Sequence, residues 1–189
     1  VEPIKSYTRV KSYFSKLTIT TRMALTFNWN QRTGATGSTV TSDLGVSGNL
    51  FNFQNQDVAS AAQYTAYPIT AGNNSYEVWL TGHFTGSFNK VQNLQFWKSA
   101  GTLGTGESLY WKDGGDNTYA QPATTSAFTD AVVPSADPGS SNVSINSSQA
   151  SSLSVAGFSD YIVLQLRTTT AAEAGDTETF TFTMQYDEN

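Results

Sequence analysis

A chain of 189 residues without a single cysteine is long enough for one domain with a real core, and it excludes disulfide stapling, thiolate catalysis and sulfur-ligated zinc. Charged residues are only 13% of the chain, against roughly a quarter in ordinary soluble domains, while Thr, Ser, Asn and Gly abound, so its surfaces are wetted by hydroxyls and amides, as in all-β proteins. The net charge of −5 is unevenly held: residues 1–32 carry Lys5, Arg9, Lys11, Lys16, Arg22 and Arg32 against Glu2 alone, a local +5, and the remainder stands at −10.

In chain order, residues 1–16 mix those cations with Tyr7, Tyr13 and Phe14 and lack clean periodicity, which suits an arm or a first edge strand over 1–22 ahead of a single domain over 23–189. Six cations make a thin patch and the acidic body repels phosphate, so nucleic acid is not an expected partner. No apolar run reaches the length of a membrane span, and the opening VEPIKSYTRVKSYFSK has no signal-peptide core. The chain is expected to be soluble, with an initiator or a longer leader removed before Val1.

Strands are predicted at Leu17–Thr21 and at Ala24–Trp29, the latter with Leu25, Phe27 and Trp29 on one face. A Gly, Ser and Thr loop follows, with a short strand inside it, then strands over 48–53 and 63–69 flanking a helical turn over 54–62 that Asp57 would cap. The centre of the chain is YEVWLTGHFTGSFNKVQNLQFWK over 76–98, where Val78, Leu80, Phe84 and Phe88 alternate with polar residues. It predicts a hairpin turning at 88–90. Later strands are expected over 107–112, 128–133, 142–145 and 151–155. The run DYIVLQLRT over 160–168 is nearly continuously apolar, so it belongs in the middle of a sheet covered on both faces. TETFTFTMQY over 177–186 alternates strictly, and the two are expected to pair as neighbours. Nine to eleven short strands and no amphipathic helix predict an antiparallel β-sandwich, jelly-roll-like, with an immunoglobulin-like sandwich as the alternative.

Chemistry has few places to hide. His83 is the sole histidine, no nucleophile elbow of the G-x-S-x-G type is present, and no pair of carboxylates stands out for glycoside hydrolysis, so an enzyme is not expected. Asp113, Asp116 and Asn117 offer oxygens that calcium could use, although Gly-flanked Asp is also an ordinary turn former. Trp79 and Trp97 fall out of phase with the apolar faces of their strands. They are therefore expected to point outward, toward a protein interface or a glycan, unless a loop covers them. Sequons occur at Asn73, Asn142 and Asn146, which matter only in a glycosylating pathway.

The stretches NLQFWKSAGTLGTGESLYWK and SDYIVLQLRTTTAAEAGDTETFTFTMQYDEN, with Thr-rich alternating strands, Gly-rich turns and no cysteine, resemble β-sandwich structural proteins of virions: capsid, decoration and cement proteins of bacterial or archaeal viruses. That resemblance implies a non-enzymatic, self-assembling coat subunit or shell-decorating protein in the virion, partnered by copies of itself or another shell protein. Lys5, Arg9, Lys11, Tyr13 and Lys16 are the candidate interface residues of the arm, joined by Trp79 and Trp97. The alternative is a carbohydrate- or receptor-binding module outside the cell or on its surface, using outward Trp and Asp-rich loops.

Overall fold

The structure, a computed structural model, describes residues 25–45, 51–58, 66–112, 118–125, 131–173 and 179–189. The segment over 1–22, with its interface residues Lys5, Arg9, Lys11, Tyr13 and Lys16, lies outside the described residues. So does the proposed calcium turn of Asp113, Asp116 and Asn117.

Nine strands, and no helix among the described residues, make an antiparallel β-sandwich: β1 (Thr26–Thr33), β2 (Val40–Gly45), β3 (Val78–Thr85), β4 (Val91–Ala100), β5 (Glu107–Lys112), β6 (Ala131–Val132), β7 (Gly157–Phe158), β8 (Ile162–Thr168) and β9 (Thr181–Glu188). The larger sheet has the order β2-β1-β3-β8-β5-β6, with β7 also on β3; the smaller pairs β4 with β9. As the alternation predicts, Leu25, Phe27 and Trp29 face the core. β1 runs on to Thr33 and turns into β2, the short strand expected inside the Gly-rich loop.

Two pairings differ from expectation, for one reason. β3 and β4 are not a hairpin, and β8 and β9 are not neighbours; in each case the chain leaves one sheet and enters the other. β3 already has β1 on one edge and β7 and β8 on the other, and β8 lies between β3 and β5, so neither has an edge to offer its successor. Alternation shows which side chains face the core, but a strand in either sheet of a sandwich satisfies it. The burial of β8 on both faces is as the sequence predicts, since Ile162 and Leu164 join the main core while Val163 joins a second cluster on the outer face.

Other expected elements shrink. Residues 51–53 and 66–69 form no strand, and 54–58 no helical turn; Asp57 instead accepts the Gly34 N–H at 2.9 Å. The polar stretches over 142–145 and 151–155 reduce to the bridges Ile145↔Ser148 and Val91↔Leu153. Their role is to finish an edge. Asn142 brackets Phe96 of β4, its Oδ1 accepting the Phe96 N–H at 2.7 Å and its Nδ2 donating to the Phe96 carbonyl at 2.9 Å, as a paired strand would.

The sheets meet on aromatic rings. Phe96 of β4 stacks on Phe182 of β9 at 5.6 Å and reaches Trp29 of β1 at 5.9 Å and Trp111 of β5 at 5.6 Å. Phe84 of β3 meets Phe27 at 5.2 Å and Tyr186 at 5.1 Å. Gly82 makes room for this packing, because a Cβ there would lie 2.8 Å from the Phe27 ring.

Candidate functional site

Two features of the larger sheet's outer face set its chemistry: a buried aromatic cluster and a strand defect beside it. The cluster corrects one expectation. Trp79 does point away from the main core, as its phase requires, yet it is only 6% exposed. Tyr119, from the segment over 118–125, and Tyr161 each meet its ring at 5.3 Å, edge to face, and its Nε1 donates to Glu77 Oε2 at 3.0 Å. Its indole offers no surface to a partner. The cover continues over β8, where Gln165, fully buried, donates to the carbonyls of Ser75 at 3.1 Å and Thr124 at 3.0 Å. Trp97 on β4 is half-buried, opposite Thr183 of β9.

The defect is a bulge between β7 and β8. Phe158 pairs with His83 and Ile162 with Leu80, so the three residues 159–161 stand against only Thr81 and Gly82. The Ser159 side chain holds it by accepting the Gly82 N–H at 2.8 Å, and Asp160, 5% exposed, is drawn inward, where its Oδ2 accepts the Ser147 N–H. Tyr161 is thereby turned onto the outer face, toward Arg32 of β1. Arg32 donates Nη1 to the Tyr161 hydroxyl and Nε to Thr39 Oγ1 at 3.3 Å, and its guanidinium lies over the Tyr119 ring at 5.0 Å and the Tyr161 ring at 5.9 Å. Among the described residues no carboxylate pairs with it. Tyr119 donates to the Gly34 carbonyl at 2.7 Å, and burial first, then the charge of Asp57, pushes its hydroxyl well above the usual tyrosine range.

Along the bulge runs a groove of about 520 Å³ whose walls include Asn30, Arg32, Thr81, Asn146 and Asp160, within the range of about 300–1,000 Å³ typical of small-molecule sites. One rim is apolar: Phe158 is 49% exposed, its ring backed by His83 in a stack at 4.2 Å. Such walls suit a ligand with many hydroxyls and one flat apolar face, because amides, hydroxyls and a guanidinium bond the former and a supported ring stacks on the latter. Phe158, Asp160 and Tyr161 carry no functional signal in the sequence, and Arg32 enters there only through the charge of residues 1–32. The only trace there is Phe158-Ser-Asp-Tyr161, where alternation fails just before the apolar run of β8.

His83 serves as the platform for Phe158. Of the sequons, Asn142 spends both side-chain polar atoms on β4, while Asn73 and Asn146 are exposed. Among the described residues no three His, Cys, Asp or Glu side chains converge, and no described helix is long and apolar enough to cross a membrane. Comparison of the chain with known protein families, with curated proteins and with solved structures finds no match.

Proposed function

We propose that this protein is a non-enzymatic structural component of a virus particle, a jelly-roll-like sandwich that assembles with copies of itself or with another shell protein. The observation that carries the assembly reading is the separation of charge between arm and body. Asp43, Asp137, Glu173, Asp187 and Glu188 are all exposed on the described body, whereas six of the chain's ten Lys and Arg residues fall within 1–32. A basic segment carrying Lys5, Arg9, Lys11, Tyr13 and Lys16 is suited to lie across the acidic surface of the next copy, where opposite charge sets the approach and the tyrosine adds contact area. The virion setting rests on the resemblance of the Thr-rich strands and Gly-rich turns to such proteins.

The test is the mass in solution, by light scattering behind a sizing column, of the whole chain and of a version starting at Arg22, each at low and high salt. A defined oligomer or shell that truncation and salt both dissolve is the expected result; compact monomers under every condition would overturn the assembly role. A second reading, a carbohydrate- or receptor-binding module, is favoured by the groove beside Phe158. Retention on immobilised glycans that Phe158→Ala abolishes while assembly persists would establish it.

A further inference from the structure

Hydrogen bonds on the far side of β4 fix what the free edge of β9 presents. Phe96 of β4 spends its N–H and carbonyl on Asn142, and Lys98 donates its N–H to the Pro134 carbonyl at 2.8 Å, so both turn their backbone groups away from β9. Their partners in register are Met184 and Phe182. In an antiparallel ladder, opposed residues either exchange both bonds or point both sets of groups outward. Phe182 and Met184 therefore aim their N–H and C=O groups out of the sheet. At the end of the strand Asn189 exchanges both bonds with Lys90, at 2.9 and 3.0 Å, which sets the same parity: odd residues face β4 and even ones face outward. Among the described residues nothing meets the outward groups of Phe182 and Met184.

Side-chain packing shows the same gap. Val91, Leu94 and Phe96 of β4 and Leu80 and Phe84 of β3 are fully buried, whereas Phe182, Met184 and Tyr186 of β9, and Leu25, Phe27 and Trp29 on β1 and its approach, face the core and are only half-buried. An apolar seam thus runs along the side of β9 away from β4. Phe51 and Phe53 reach only its start, through ring contacts with Phe182 at 5.7 Å and Phe180 at 6.5 Å. The edge also lacks the usual protection against pairing. β2 carries Asp43, β6 is two residues long and β4 is closed by Asn142, but Thr181–Tyr186 holds no charge and no proline.

We propose that this edge takes residues 16–21 of a second copy as an added antiparallel strand, which rests on the assembly role above and names where the arm docks. In that segment Leu17 and Ile19 alternate with Lys16, Thr18 and Thr20. Placing Ile19 opposite Met184 sets Leu17 on Tyr186 and Thr21 on Phe182 along the apolar seam, and gives the outward groups of β9 their partners. On the other face it sets Thr18 on Gln185, Thr20 on Thr183 and Lys16 on the exposed Asp187. A slip of one residue would turn Lys16 and Thr18 into the core. Direction is what requires another molecule. β1 runs opposite to β9 across the core, since Phe27 meets Tyr186 while Trp29 meets Phe96, the partner of Met184. A strand joined to β1 by residues 22–24 alone arches over from the Tyr186 end and so arrives parallel to β9. Every described strand pair is antiparallel, and parallel ladders are weaker per residue and belong to sheets covered on both faces.

The test uses the full chain, whose lack of cysteine makes an engineered disulfide unambiguous. Thr18→Cys with Gln185→Cys, opposed at a pair that is not hydrogen-bonded, should oxidise to linked chains, seen as multiples of the chain mass under denaturing conditions. Thr18→Cys with the exposed Val155→Cys should not. Ile19→Pro changes no charge but removes the N–H opposite Met184, so it should raise the concentration for half-assembly at least about tenfold. If the Gln185→Cys chain does not fold, hydrogen exchange decides: the Met184 amide should exchange at least about tenfold more slowly in the assembled parent chain than after salt dissolves it. Assembly that Ile19→Pro leaves unchanged, or an unprotected Met184 amide, would leave the arm acting by charge alone, so that the assembly role stands and the strand addition falls. A disulfide formed at the mass of a single chain would overturn the assignment to a second copy, and compact monomers under every condition would overturn both.

Discussion

Replacing Trp79 tests whether the outer face of the larger sheet is a binding surface or a second core. The indole is 6% exposed, touches Tyr119 and Tyr161, and gives the Glu77 carboxylate its only described hydrogen bond. Trp79→Ala removes a buried aromatic ring, at about 3–5 kcal/mol, and strands a buried carboxylate, at about 1–3 kcal/mol more. Since these overlap, a loss of about 4–6 kcal/mol is expected, a large share of the ~5–15 kcal/mol that holds a domain together. At about 2–4 °C per kcal/mol for a chain of this size, Tm should fall by roughly 10–20 °C. Trp79→Phe keeps most of the ring and loses the donor, so it should cost about 1–3 kcal/mol. Trp97→Ala, at a half-buried position on β4, should cost about 1 kcal/mol or less. Urea and thermal unfolding followed by circular dichroism separate the three variants. If Trp79→Ala melts within about 2 °C of the parent chain, the aromatic cover does not hold this face and the argument from burial fails.

Three further outcomes follow from the same geometry. Asp57 has its carboxyl raised above the ordinary 3.8, by burial first and against the Gly34 N–H. Between those two values the folded state holds more protons than the unfolded, so stability should fall as pH rises through the raised value, and Asp57→Asn should flatten that fall. Tyr76, Glu77, Tyr119 and Arg32 are other ionisable groups around it. Parallel Tm-against-pH curves for parent and variant would refute the assignment. Asn142→Ala leaves both backbone groups of Phe96 without their partner and should cost about 2–3 kcal/mol in urea, with faster hydrogen exchange at the Phe96 amide; unchanged exchange there would show that the side chain does not stand in for a strand. Phe158→Ala, at an exposed ring, should change stability by no more than about 1 kcal/mol, so that any loss of ligand retention reports on the groove itself; a larger destabilisation would mean that the ring supports the bulge.

Where a residue faces was legible in the sequence; which neighbour it faces was not. Leu25, Phe27 and Trp29 lie on the core side, as their alternation predicts, and β8 is buried on both faces, as its apolar run requires. The phase of Trp79 is as its strand predicts, and it is buried because Tyr119, forty residues on, and Tyr161 of the bulge fold over it, contacts that leave no local trace. The groove was illegible for a similar reason: Asn30 and Thr81 meet through the pairing of β1 with β3, and Phe158 and Asp160 reach them only through the bulge.

The two pairings that departed from expectation are a single feature. β3 and β8 are neighbours in the larger sheet, and their successors β4 and β9 are neighbours in the smaller, so two arches cross the core side by side. Each arch carries one strand that the other needs: β9 has β4 as its only described strand partner, and β4 has β9 along one edge with the Asn142 loop along the other. Neither arch can close the sandwich without the other, and both enclose the same rings, Phe84 with Tyr186 and Phe96 with Phe182. Because those contacts join strands roughly a hundred residues apart, the core forms only when both halves of the chain are present. That coupling leaves the outer faces free to carry function, since the bulge and the groove lie outside the shared core, on strands whose inward residues already fix their position.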